Sequence, residues 1–92
     1  MTRIAAAELA EFNIRVNAVQ PGVITTGMRA AGGERRTEVM ERCARETPLG
    51  KRLGTPEDVA ALADFLLSPE ADWITGQIIS VDGGRSTLRT KS

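Results

Sequence analysis

Apolar positions along this chain follow two kinds of spacing, and the change between them marks the elements. In TRIAAAELAEF, residues 2–12, Ala5, Leu9 and Phe12 share one helical face while Glu8 and Glu11 lie away from it. Strong helix formers fill the intervals, so the pattern predicts a helix here, with Thr2 the only candidate cap. Asn13 breaks the pattern, and β-branched Ile14, Val16 and Val19 predict a buried strand over 14–20. Pro21 and Gly22 should end that strand, because proline donates nothing to a ladder and glycine admits backbone angles closed to other residues.

The next stretch holds Gly27, Gly32 and Gly33 and reads as a loop to about residue 34. ERRTEVMERCARE, 34–46, suits a mostly polar helix in which Glu38–Arg42 and Glu41–Arg45 are favourable pairs four apart. Val39, Met40 and Cys43 give it only a narrow apolar stripe, which predicts weak anchoring. After a punctuated loop over 47–54, Thr55-Pro56-Glu57-Asp58 announces a helix: a cap, a proline where its missing N–H costs nothing, and acids at the positive end. Val59, Leu62, Ala63 and Leu66 follow at helical spacing, and Phe65 and Leu67 widen the face, so this helix should pack on more than one side. Ser68-Pro69 stops it, QIISV at 77–81 reads as a second buried strand, Asp82-Gly83-Gly84 as a tight turn, and 85–92 as a flexible polar tail.

Two short apolar strands joined by a long helical connection predict parallel strands in an α/β sheet. Two strands do not complete such a sheet, and a chain of 92 residues buries only about three fifths of its unfolded surface. The chain is therefore expected either to pair with other chains or to be one end of a larger domain, and to be poorly stable as a monomer.

Composition removes several functions. Twelve basic and twelve acidic residues cancel, leaving no surplus to favour nucleic acid or an anionic membrane. A lone Cys43 and the lack of histidine exclude an intrachain disulfide and a Cys/His metal site, and favour a reducing, cytoplasmic setting. No apolar run approaches the roughly 20 residues of a membrane helix. Tyrosine is also absent and lysine occurs only at 51 and 91, so most acid/base schemes lose their usual groups and no catalytic residue is assigned. Asn17 is expected to be satisfied by backbone, Trp73 and Ile74 to pack, and Arg35 and Arg36 to be solvated.

The order RVNAV-PG-x-I-x-T, then a loop and helix, then L-G-TPEDVA, then ITGQ-I-x-VDGG resembles the C-terminal portion of the short-chain dehydrogenase/reductase family, over about residues 1–84. The resemblance implies the last two strands and flanking helices of a Rossmann-type, doubly wound parallel sheet, with 27–47 as a substrate lid. It also implies an NAD- or NADP-dependent oxidoreductase that interconverts an alcohol and a carbonyl on a small molecule by hydride transfer. By position, Pro21 and Gly22 would shape the turn, Val23 and Ile24 would offer backbone groups to the nicotinamide carboxamide, and Thr26 its hydroxyl to the carboxamide or a phosphate. The family's glycine-rich phosphate turn and its Tyr-x-x-x-Lys pair do not occur in this sequence. The chain is accordingly expected to be inactive and to leave the cofactor unbound when alone, its partners being further copies or the N-terminal half. The alternative is a non-catalytic remnant or an oligomerisation or interaction module.

Overall fold

The computed structural model describes residues 1–25 and 33–88, with side chains in the second segment from Arg36 onward. In chain order the elements are helix α1 (Thr2–Leu9), strand β1 (Ala18–Pro21), helix α2 (Gly33–Arg45), helix α3 (Pro56–Leu67) and strand β2 (Ile78–Val81). The strands pair in parallel, Ala18 with Ile78 through Pro21 with Val81. The fold is thus the expected α/β arrangement: a two-stranded parallel sheet with helical connections.

The first helix starts without a side-chain cap, its N-cap being Met1 rather than Thr2. After Leu9 it tightens into a 3-10 turn over Ala10–Phe12 and ends on Asn13, whose φ of 60° is left-handed. Asparagine is one of the few residues that visits that region at modest cost. The face that packs is centred on buried Ala6, which lies against Gly76, whereas Phe12, on the apolar face it was expected to share with Ala5 and Leu9, is 64% exposed.

The first strand is shorter and later than the pattern predicts, and it is half-buried rather than buried. The reason is that residues 15–17 satisfy themselves elsewhere. The Val16 N–H donates to Thr75 Oγ1 at 3.0 Å, and the Val16 carbonyl accepts from Gly76 at 2.8 Å. Asn17 donates to the Ile74 carbonyl and accepts from the Gln77 N–H, both at 3.1 Å, so it is satisfied by backbone as expected. This polar stitch brings the segments into register, and regular pairing begins only at Ala18, whose N–H reaches the Gln77 carbonyl. Pairing then runs through the Pro-Gly break instead of stopping before it. Ala18 and Gly22 both donate to the β2 segment, so by parallel-strand alternation the N of Pro21 faces away from β2, where a missing N–H costs nothing.

Thr55 and Asp58 form a full capping box at the start of α3, with Pro56 in its first turn. At the other end Arg15 closes the helix: its guanidinium donates to the carbonyls of Leu66 at 2.6 Å, Ala71 at 2.8 Å and Ser68 at 3.3 Å. Leu66 is buried, but Leu67 is 81% exposed and Phe65 is also exposed, so the second packed side expected of α3 is uncovered. Trp73, expected to pack, is exposed too. The physical cause is the same in each case: two strands offer cover to one face only.

Among the described residues the core consists of Ala6, Cys43, Leu66 and Ala71 with buried Thr47, and no large side chain is fully buried. The radius of gyration is 16.3 Å, against about 12 Å for a compact domain of this length. These elements therefore do not close a globule around themselves.

Candidate functional site

Chemistry concentrates where the C-terminal ends of both strands meet the start of α3. The first component is the segment after β1. Gly22 continues the ladder by donating to the Val81 carbonyl at 2.9 Å. A Cβ on it would stand 2.7 Å from the Asp82 Cβ and 2.9 Å from the Asp82 Cα, so glycine is required there for close backbone approach, not for an unusual dihedral angle.

Beyond Gly22 the chain forms one further parallel bridge, between Ile24 and Gly54. The Gly54 N–H donates to the Val23 carbonyl at 3.0 Å, and the Thr25 N–H donates to the Gly54 carbonyl at 2.8 Å. The Val23 carbonyl is therefore engaged internally. In such a bridge the central residue turns its own N–H and C=O away from the partner, so Ile24 directs one donor and one acceptor to the side opposite Gly54. Thr26 lies outside the described residues, as does the 27–32 part of the expected lid.

The second component is the carboxylate of Asp58. It accepts from the Thr55 N–H at 2.8 Å and from Thr55 Oγ1 at 3.1 Å, and it pairs with Arg52 through Nη1 at 2.8 Å and Nη2 at 3.4 Å. The Arg52 guanidinium, followed by the Thr55 donors, holds the Asp58 carboxyl down to about 2. Reciprocally, donating to the Asp58 carboxylate raises the pKa of the Arg52 guanidinium above its ordinary value. Asp58 is thus a permanently charged structural acceptor at neutral pH rather than an acid or base.

The third component is the turn after β2. Asp82 accepts from the hydroxyl and N–H of Ser86 and from the Gly84 N–H at 2.9 Å, and these donors, the Ser86 hydroxyl foremost, lower its carboxyl below the usual range. Gly83 adopts a φ of +63° and its carbonyl accepts from Leu49, while Arg85 pairs with Glu46 at 3.0 Å. Residues 82–88 therefore form a hydrogen-bonded turn tied back to the end of α2. Cys43 is buried on α2, and its carbonyl accepts from Thr47 Oγ1 at 2.8 Å.

The structure thus brings Gly22, Val23, Ile24, Gly54, Asp58 and Asp82 together at one end of the sheet. Two features were not anticipated. The reciprocal role of Asp58 was readable from Thr55 and an acid three residues on, the capping-box spacing. The Arg15 clamp left no such signal, because its acceptors lie 51 to 56 positions away. Among the described residues no group of three or more His, Cys, Asp or Glu is placed to hold a metal ion, and no helix is long and apolar enough to cross a membrane.

A family model described as Enoyl-(Acyl carrier protein) reductase matches residues 1–86. The chain belongs to the short-chain dehydrogenase/reductase family. It is 48% identical over 88 residues to the 3-oxoacyl-[acyl-carrier-protein] reductase FabG of Thermotoga maritima, covering 91% of this chain and 32% of that protein. The galactitol 2-dehydrogenase (L-tagatose-forming) of Cereibacter sphaeroides is 46% identical over 84 residues, with 91% of this chain and 32% of the relative covered. A crystal structure of Cj0485 dehydrogenase superposes with a TM-score of 0.86 at 39% identity, covering 95% of this chain and 35% of that one. The chain therefore spans about a third of the length of the curated relatives it matches, and those named relatives are oxidoreductases.

Proposed function

We propose that this chain supplies the nicotinamide side and the substrate lid of an NAD- or NADP-dependent oxidoreductase that interconverts an alcohol and a carbonyl on a small molecule by hydride transfer. In this reading residues 1–84 are the C-terminal segment of the cofactor domain, 27–47 the lid and 85–92 a tail. The remainder of a domain of the relatives' size, and further copies of the chain, would complete a cytoplasmic enzyme.

The observation that carries the reading is the bridge at Ile24. A flat carboxamide needs a donor and an acceptor in fixed places, and the backbone of Ile24 directs one of each away from Gly54 at the C-terminal end of the sheet. Pro21 and Gly22 deliver the chain to that point, with Val23 holding the bridge and Thr26 adding a hydroxyl two residues on. The chain fits the nicotinamide end only. It holds neither the glycine-rich turn for the phosphates nor a tyrosine to exchange a proton with substrate, so the chain alone should neither bind the cofactor nor transfer hydride.

The test has two arms. Purified 92-residue chain mixed with NAD(P)H and a carbonyl substrate should show no oxidation of the cofactor, and steady oxidation would overturn the assignment of inactivity. Grafted in place of the matching third of the Thermotoga maritima reductase, to which it is 48% identical, the chain should restore cofactor binding and turnover. A folded graft without cofactor binding would overturn the proposal. It would favour the second reading, a non-catalytic interaction module, which the exposure of Ile4, Phe12, Ile14 and Leu67 supports.

A further inference from the structure

We propose that Asp58 is a positioning residue for the backbone of Ile24, acting through Gly54; the proposal rests on the reading of Ile24 as the nicotinamide-side contact. The Ile24–Gly54 bridge is a single pair with two hydrogen bonds and no continuing ladder. A glycine in so short a pairing has the widest backbone freedom of any residue, so something else must hold it extended. One carboxylate does so from both sides.

On the C-terminal side Asp58 Oδ2 takes the Thr55 N–H and hydroxyl. On the N-terminal side the same oxygen takes Arg52 Nη1, which also donates to the Leu53 carbonyl at 2.9 Å. Residues 52, 53 and 55 are thereby fixed to the first turn of α3, and Gly54 between them is left with its N–H and C=O aimed at Val23 and Thr25. The first turn of α3, a 12-residue helix, thus sets where the backbone of Ile24 sits. A role in helix capping alone would involve Thr55 but would have no use for Arg52.

Amide hydrogen exchange on the full chain separates the two roles. Arg52→Met keeps the capping box and removes the N-terminal hold, so Gly54 and Thr25 should exchange roughly five- to tenfold faster while Asp58 and Gly22 stay within about twofold. Asp58→Asn should accelerate Gly54, Thr25 and Asp58 together. Unchanged exchange at Gly54 and Thr25 in either variant overturns the proposal, as does an equal acceleration of every amide. In the grafted reductase, Arg52→Met should raise KM for the nicotinamide cofactor about fivefold with kcat within twofold, whereas loss of folded enzyme lowers activity at constant KM. A fast-exchanging Gly54 with unaltered KM also overturns it. If the unsubstituted graft fails to bind cofactor, the reading of Ile24 falls, while the exchange result still decides whether Asp58 governs the bridge.

Discussion

Arg15 offers a sharp test of how the structure holds its elements, because one side chain joins the strand segment to the end of α3. Its guanidinium meets the Leu66 carbonyl at 2.6 Å and the Ala71 carbonyl at 2.8 Å, with a longer contact of 3.3 Å to Ser68. Hydrogen bonds from a charged donor are worth about 1.5–3 kcal/mol each when buried, but this group is only half-buried and water can replace it at the freed carbonyls. About 1 kcal/mol for each short bond, with nothing counted for the long one, gives about 2 kcal/mol for Arg15→Met, which keeps the apolar stem.

Spread over the segment it clamps, that energy is roughly thirtyfold in local opening. Amide exchange at Ser68, Ala71 and Ile74, whose N–H groups bond within this segment, is the assay. Gly22, at the far end of the sheet, should change far less. Arg15→Lys should recover only part of the loss, since an ammonium is a point charge and cannot span carbonyls on both sides of the turn. Acceleration below about threefold at all of these amides, or full recovery by lysine, would refute the clamp.

Asp58 predicts a specific acid response. Its carboxyl lies at about 2 when folded, below the ordinary 3.8, so its contribution to stability is complete above the ordinary value and is lost as pH falls toward 2. Protection of the α3 first turn, compared between the native chain and Asp58→Asn from pH 5 to 2, should converge over that window, and a constant difference would contradict the assignment. Gly22→Ala places a methyl 2.7 Å from the Asp82 Cβ and should cost about 1–3 kcal/mol by forcing the strand ends apart. Faster exchange of the Gly22 N–H in that variant is the readout, and wild-type protection would argue that the strands yield freely.

Local chemistry carried much of this protein into view from its residues alone. Thr55-Pro56-Glu57-Asp58 specifies a helix start because cap, proline and acids act within four residues, and the structure has that start in place. Two apolar runs separated by a helical stretch implied parallel strands, because a crossover of that length returns the chain in the same direction, and Ala18–Pro21 and Ile78–Val81 do pair so. The ordered motifs around Pro21-Gly22, Thr55-Pro56 and Asp82-Gly83-Gly84 were enough to indicate the family.

What the tertiary structure alone decided are matters of partners distant in sequence. The strand begins at Ala18 rather than Ile14 because Thr75, Ile74, Gly76 and Gln77 take the hydrogen bonds of Val16 and Asn17. Phe12, Leu67 and Trp73 sit exposed because periodicity marks an apolar face but does not say what covers it, and two strands cover only one. Gly22 is needed for the approach of Asp82, 60 residues on, and Arg15 finds carbonyls more than 50 positions away. A residue's propensities act through its neighbours in the chain, whereas its hydrogen-bond partners and its burial are set by neighbours in space.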